Sequence, residues 1–263
     1  MGAGVCGRYT LTDPGEELIR HFQLPGLPQE YRPRYNIAPT QPVLAIIDAD
    51  GRRAGMLRWG LIPSWAKDPA IGNRMINARA ETVAEKPSFR TALRRRRCLI
   101  PADGFYEWRT ANGRKQPMRI VRSDGGLFAF AGLWESWRPP VSATKAAGAA
   151  ETPDPPSHGG TADDHGASGR SDAGHDQVVY TCTIVTTDAN ETLRPIHHRM
   201  PVVIPPEAYD LWLDRDIDDP EALLPLLRPS PEDAFRAYPV STFVNNARNE
   251  GPDCIKPLGG SGG

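Results

Sequence analysis

Short runs of β-branched and aromatic residues recur along the chain, separated by clusters rich in Gly, Pro, Asn and Asp. PVLAII (42–47), AGMLRWG (54–60), RCLIPA (97–102), PMRIVR (117–122), LFAFAGLWE (127–135), VVYTCTIVTT (178–187) and MPVVI (200–204) read as strands. Helical spacing is rarer. Asp13-Pro14-Gly15-Glu16 opens one helix, with Asp as cap, Pro at the first helical position and Glu three residues on, and ELIRHF continues it with apolar residues at helical spacing. Residues 79–94 suggest a second helix interrupted at Pro87, and PPEAYDLWLD (205–214) a third with Pro206 at its start. Strands dominate without βαβ alternation, which predicts an α+β fold with flanking helices around a curved or barrel-like antiparallel sheet.

One stretch breaks this pattern. From Pro139 to Asp176 the only large aliphatic residue is Val141 and there is no aromatic. Such a segment buries too little apolar surface to offset the entropy of ordering, so 139–176 is expected to be a disordered insertion. LFAFAGLWE ends just before it and VVYTCTIVTT begins just after. The expected organisation is therefore one domain over 6–258, interrupted by a loop between neighbouring strands, with residues 1–5 as an N-terminal extension and GGSGG (259–263) as a flexible tail. His158, His165 and His175 fall in the insertion at irregular spacing, which reads as solvated linker.

Composition narrows the function classes. The 31 Lys+Arg nearly balance 32 Asp+Glu, so any contact with nucleic acid must come from local clustering. No apolar run reaches the roughly 18 residues of a membrane helix, and MGAGVCGRYT lacks an export pattern. Cys6, Cys98, Cys182 and Cys254 form no CxxC and no zinc spacing. The expectation is a reduced cytoplasmic monomer without metal, cofactor or membrane partner.

Candidate chemistry sits in islands that mix polar groups with Gly, Pro and aromatics: RYNIAPTQ (34–41), WGLIPSWAKD (59–68), INARAET (76–82), CLIPADGFYEW (98–108) and PIHHRMPVV (195–203). Glu107, among Phe105, Tyr106 and Trp108, is either a desolvated general acid or base or an outward residue of an alternating strand. His197 and His198 are adjacent, so on a strand they face opposite ways and at most one enters a site. Asn77 either orients a reactant or completes a turn. Arg8, Arg34, Arg79 and Arg199 offer planar forks for phosphate, and Trp59 and Trp65 offer faces for unstacked bases, unless they are ordinary surface and core residues. RRRR (94–97) reads as the solvated end of a helix entering a strand. Cys98 and Cys182 look buried and inert, whereas Cys6, close to the terminus, is harder to bury.

In order, CGRY (6–9), RYNIAPTQ, WGLIPSW, INARAET, PADGFYEW and IHHRMP, with VNNARNEGPDCI (244–255) near the end, resemble the SRAP family, the SOS-response-associated peptidases or abasic-site processing proteins. The resemblance implies a compact α+β domain on a distorted β-barrel that binds single-stranded DNA and reacts covalently with the aldehyde of ring-opened abasic sites. The implied nucleophile is a cysteine at the mature N-terminus, here Cys6. Asn77, Glu107 and His197 fall on the other active-site positions, Arg8, Arg79 and Arg199 on contacts to DNA, and Asn36 and Trp65 in motifs of the same groove. Association with the nucleoid would follow binding to damaged DNA.

The family pattern places cysteine directly after the initiator methionine, whereas five residues precede Cys6 here. Two routes would expose it: initiation at a GTG codon for Val5, or autoproteolysis of the Val5–Cys6 bond. AP-lyase activity is a further implication of the resemblance. Two other classes stay in play: an N-terminal-cysteine peptidase or amidohydrolase, whose usual four-layer αββα pattern needs more helices than this chain offers, and a non-covalent binder of single-stranded DNA.

Overall fold

The computed structural model describes residues 6–111, 113–140 and 178–259. Thirteen strands run through them in chain order: β1 Tyr9–Leu11, β2 Arg34–Ile37, β3 Pro42–Asp48, β4 Arg52–Trp59, β5 Asn77–Arg79, β6 Arg97–Ala102, β7 Gly104–Ala111, β8 Arg114–Arg122, β9 Phe128–Trp137, β10 Val179–Asp188, β11 Arg199–Pro201, β12 Val203–Ile204 and β13 Phe235–Pro239. The helices are short: α1 Glu16–Phe22, α2 Arg90–Arg95, α3 Tyr209–Leu213 and α4 Pro220–Leu223.

Five strands close a barrel in the order β10-β4-β3-β6-β9 and back to β10. Every pairing in the ring is antiparallel except β4 with β10. A second antiparallel sheet runs β13-β8-β7-β1-β2. The expected α+β class and barrel-like core are therefore present, and every strand read from the sequence falls on an observed one. Strands β9 and β10 pair directly, with Trp137 opposite Val179, so the intervening stretch joins two neighbouring strands. Apart from Pro139 and Pro140, the disorder expected over 139–176 falls outside the described residues, as do the extension at 1–5 and most of the tail.

The helices differ more from expectation. The cap of α1 is Gly15, at φ 128°, while the Asp13 carboxylate accepts the Gly15 N–H instead of capping directly. Residues 79–94 give only a 3-10 turn at Ala80–Thr82 and the single α2, because Pro87 prevents a continuous ladder. Pro206 likewise starts a 3-10 turn that leads into the five residues of α3. α2 ends at Arg95 and β6 starts at Arg97, as the arginine run suggested, yet Arg97 is buried. Its guanidinium donates to the carbonyls of Leu93, Arg94, Trp212 and Asp214, locking α2 and α3 to the barrel.

The two sheets share one aromatic seam. Tyr9 meets Trp59 and Phe130 edge-on, at 5.5 and 5.6 Å between ring centres. Phe105 of β7 reaches Phe130 and Phe235, and Phe128 reaches Phe235. All of these rings are buried, and each such pair adds about 0.5–1.5 kcal/mol beyond the area it removes from water. The seam fixes β1 and β7, and hence both ends of the candidate site, against the barrel.

Candidate active site

The register of β7 decides where its carboxylate points. Phe105 faces the barrel, so Glu107, two residues on, lies on the same face, while Tyr106 and Trp108 lie on the other. Burial along β7 runs from core to solvent, and Glu107 is the last buried position. The outward alternative therefore fails. β1 pairs with β7 through Tyr9 and Phe105, which carries the segment before β1 across the carboxylate. The Cys6 backbone nitrogen donates to Glu107 Oε1 at 2.7 Å.

Cys6 is fully buried, against the expectation for a residue near a terminus, because the β1–β7 pairing draws it into the core. Burial, and then the neighbouring Glu107 charge, push its thiol well above the ordinary cysteine range. Its φ is 47°, a left-handed conformation that costs a non-glycine residue about 1–3 kcal/mol. Burial pushes the Glu107 carboxyl up to about 7, while the N–H groups of Cys6 and Trp108 pull the other way. It can thus hold or release a proton near neutral pH.

Asn77 opens β5 in register with Ile184 of β10, and Arg79 lies two residues along on the same face. Among the described residues, neither the oxygen nor the nitrogen of the Asn77 amide has a hydrogen-bond partner, although both atoms are buried. Burying such a group unpaired costs about 1–3 kcal/mol per missing bond, and the unpaired atoms show that the side chain does not complete a turn. Arg79 is exposed and has no partner among the described residues.

His197 and His198 precede β11 rather than lying on a strand, so they do not face opposite ways. Their rings stack at 4.4 Å with 28° between planes. His197 is half-buried and His198 exposed. The Arg199 N–H donates to His197 Nδ1 at 3.1 Å, and the Arg199 carbonyl lies 3.3 Å from the same nitrogen. Nδ1 is therefore served whether or not it carries a proton, which leaves Nε2 free to give or take one. Burial, then His198, and more weakly the charges of Arg199 and Lys115 push the imidazole below its ordinary range, so it is neutral near pH 7.

The remaining candidates divide. Trp65 is 59% exposed on a loop held by Trp137 Nε1 donating to Ala66 O and by Ile62 N donating to Thr181 Oγ1. Gly60, at φ 130°, starts this loop where an added Cβ would come within 2.7 Å of the Gly72 carbonyl. Trp59, in contrast, is core. Arg8 lies 5.8 Å from the centre of the Trp108 ring and donates to Asn36 Oδ1 and Val244 O. Asn36 is fully buried and donates to the Val244, Asn246 and Asn249 carbonyls, so its amide braces that stretch of chain. Arg199 differs from the expected free fork: it is 8% exposed, and its Nη1 and Nη2 donate to Glu81, Asp188 and the Thr186 carbonyl. Arg34 is similarly engaged by Glu250 and Gln41. The contacts of the 244–249 stretch with Arg8, Asn36 and Trp108 are not visible in the sequence, because they join positions 137 or more residues apart. Among the described residues, no three His, Cys, Asp or Glu side chains cluster as metal ligands, and no helix is long and apolar enough to cross a membrane.

The raised Glu107 pKa makes a prediction about stability. Folding takes up a proton between about pH 4.5 and 7, so the contribution is complete below that window and lost as pH rises through about 7. Urea unfolding at pH 5 and pH 8 should show wild type losing stability relative to Glu107→Gln by up to about 3 kcal/mol. An equal difference at both pH values would contradict a buried, pKa-shifted carboxyl.

Comparison with known proteins agrees with this layout. The family model described as SOS response associated peptidase (SRAP) matches residues 5–247. The abasic site processing protein YoqW of Bacillus subtilis is 43% identical over 256 residues, covering 96% of this chain and 99% of that one. The abasic site processing protein HMCES of Gallus gallus is 35% identical, covering 87% of this chain and 67% of that one. A crystal structure of a Bacteroides thetaiotaomicron protein superposes with a TM-score of 0.73 at 22% identity, covering 96% and 99% of the two chains, and so shares the fold. With the matched motifs supplying the strands and turns that assemble around Cys6 and Glu107, this chain belongs to the SRAP family of abasic site processing proteins.

Proposed function

We propose that the protein captures ring-opened abasic sites in single-stranded DNA as a covalent thiazolidine on Cys6, presented as the first residue of the mature chain. The observation that carries this is the 2.7 Å hydrogen bond from the Cys6 nitrogen to a buried carboxyl with its pKa near 7. A free cysteine amine attacks the sugar aldehyde carbon, and the carbinolamine loses water to give an imine. The thiol sulfur then closes on the same carbon, and its proton passes to nitrogen. One water leaves in total, and a five-membered ring forms. Holding amine and thiol on one residue makes the closure unimolecular, worth several kcal/mol.

Glu107 takes a proton from the ammonium and returns it to the departing hydroxyl, a cycle suited to a pKa near the working pH. His197 moves the proton at the sugar oxygen through Nε2, and the unpartnered Asn77 amide holds the opened sugar. Removal of a C2 proton from the imine by the same carboxyl would give strand cleavage by β-elimination. Arg79, Arg8 and Trp65 supply phosphate and base contacts at the edge.

Release of the residues before Cys6 fits the backbone geometry. An initial residue has no φ, so freeing the amine removes the left-handed strain at Cys6. Initiation at the Val5 codon and self-cleavage of the Val5–Cys6 bond lead to the same mature site.

The reaction is read on a denaturing gel with an oligonucleotide carrying one abasic site. Cys6→Ala should form no stable adduct, and Glu107→Gln should form it at least about tenfold more slowly. Wild-type rates in Glu107→Gln would remove the carboxyl from the proton path. Asn77→Leu should melt at or above the wild-type temperature, since it deletes an unsatisfied amide, yet slow adduct formation about tenfold or more. A lower melting point with unchanged rate would make Asn77 structural.

A further inference from the structure

The stretch STFVNNARNE (241–250) belongs to neither sheet core, yet the site's own neighbours hold it in place. Arg8 Nη1 donates to Val244 O at 2.8 Å, and Asn36 Nδ2 donates to Val244, Asn246 and Asn249 carbonyls at 3.2, 3.0 and 2.8 Å. Trp108 Nε1 donates to Asn245 Oδ1 at 2.7 Å. Arg8 lies two residues from Cys6, and Trp108 follows Glu107. The loop is also closed on itself: Asn249 Nδ2 donates to Phe243 O at 2.7 Å, and the Arg248 N–H to Asn246 Oδ1 at 3.0 Å. Val244 is fully buried against Tyr106, Val240 and Cys254.

What this rigid loop leaves in solvent is an aromatic ring and a cation. Phe243 is 41% exposed, and the Arg248 side chain is exposed with no ion-pair partner among the described residues. Glu250, the acidic group of the stretch, is already paired with Arg34 at 2.6 Å. The net surface presented beside the Arg8–Trp108 pair is therefore aromatic and positive, the chemistry that holds unstacked bases and backbone phosphates.

We infer that residues 241–250 form a further wall of the single-stranded DNA groove, with Phe243 stacking a base and Arg248 meeting a phosphate of nucleotides flanking the abasic site. This rests on the function proposed above and extends it to a segment outside both the barrel and the reacting groups. Because Phe243 and Arg248 touch no reacting atom, their loss weakens the hold on DNA without altering the chemistry at Cys6.

The test measures equilibrium binding of a labelled, undamaged single-stranded oligonucleotide across a salt series, using the full chain and its Phe243→Ala, Arg248→Gln and Arg248→Lys variants. Phe243→Ala should bind about fivefold or more weakly. Arg248→Gln should lower affinity and flatten the log–log salt slope by about 0.7, the increment of one single-strand phosphate contact, while Arg248→Lys retains the slope. Adduct formation at saturating abasic DNA should match wild type in all three, and matched melting temperatures would establish intact folding. Wild-type affinity and slope in both Phe243→Ala and Arg248→Gln would overturn the wall while leaving the covalent reading intact. Absence of single-strand binding by wild type itself would overturn both.

Discussion

A single buried hydrogen bond joins residues 101 positions apart: the Cys6 nitrogen to Glu107 Oε1. It depends on β1 pairing with β7, on the aromatic seam that presses both strands to the barrel, and on the alternation that turns Glu107 inward with Phe105. A carboxyl in water would be ionised well below neutral pH. Here the fold withdraws solvent and leaves only two backbone N–H groups to favour the charged form, which brings its proton equilibrium to about pH 7. The position of Cys6 and the proton affinity of Glu107 thus follow from one packing arrangement.

Elsewhere in the molecule, buried polar groups differ in how fully they are bonded. Asn36 and Arg97 are satisfied: the amide of one and the guanidinium of the other donate to backbone carbonyls that brace loops and helices. Asn77 is unsatisfied, with both amide atoms buried and unpaired. Asn77 is the one side chain among the described residues with both its polar atoms in that state; Tyr9, Thr183 and the arginines that share it each have a single such atom. His197 stands between these cases. Its Nδ1 is supported in either protonation state by the Arg199 backbone, and its Nε2 is left to act.

The barrel was legible in the sequence because its strands are long, apolar and β-branched; runs such as LFAFAGLWE and VVYTCTIVTT admit little else. The strands that position the site were harder to read. β1 and β2 are only three and four residues long, and β7 passes from core to surface within eight, so neither gives a sustained alternation. Helical content is overestimated at 79–94, where Pro87 interrupts the ladder. Arginines could be assigned to islands but not sorted, since a free fork and a fork already closed by carboxylates look alike in one dimension. Arg79 is exposed, whereas Arg199 is enclosed by Glu81 and Asp188, residues 118 and 11 positions away. Cys6 looks hard to bury from its place near the terminus, because position alone says nothing of the long-range β1–β7 pairing that covers it.

The central claim is that Cys6 reacts through its own amine and thiol. Intact-mass spectrometry of the purified protein, before and after mixing with single-stranded DNA carrying one abasic site, tests it most directly. The account predicts a chain beginning at Cys6 that gains the mass of the oligonucleotide less one water. A chain beginning at Cys6 that gains no mass would contradict it.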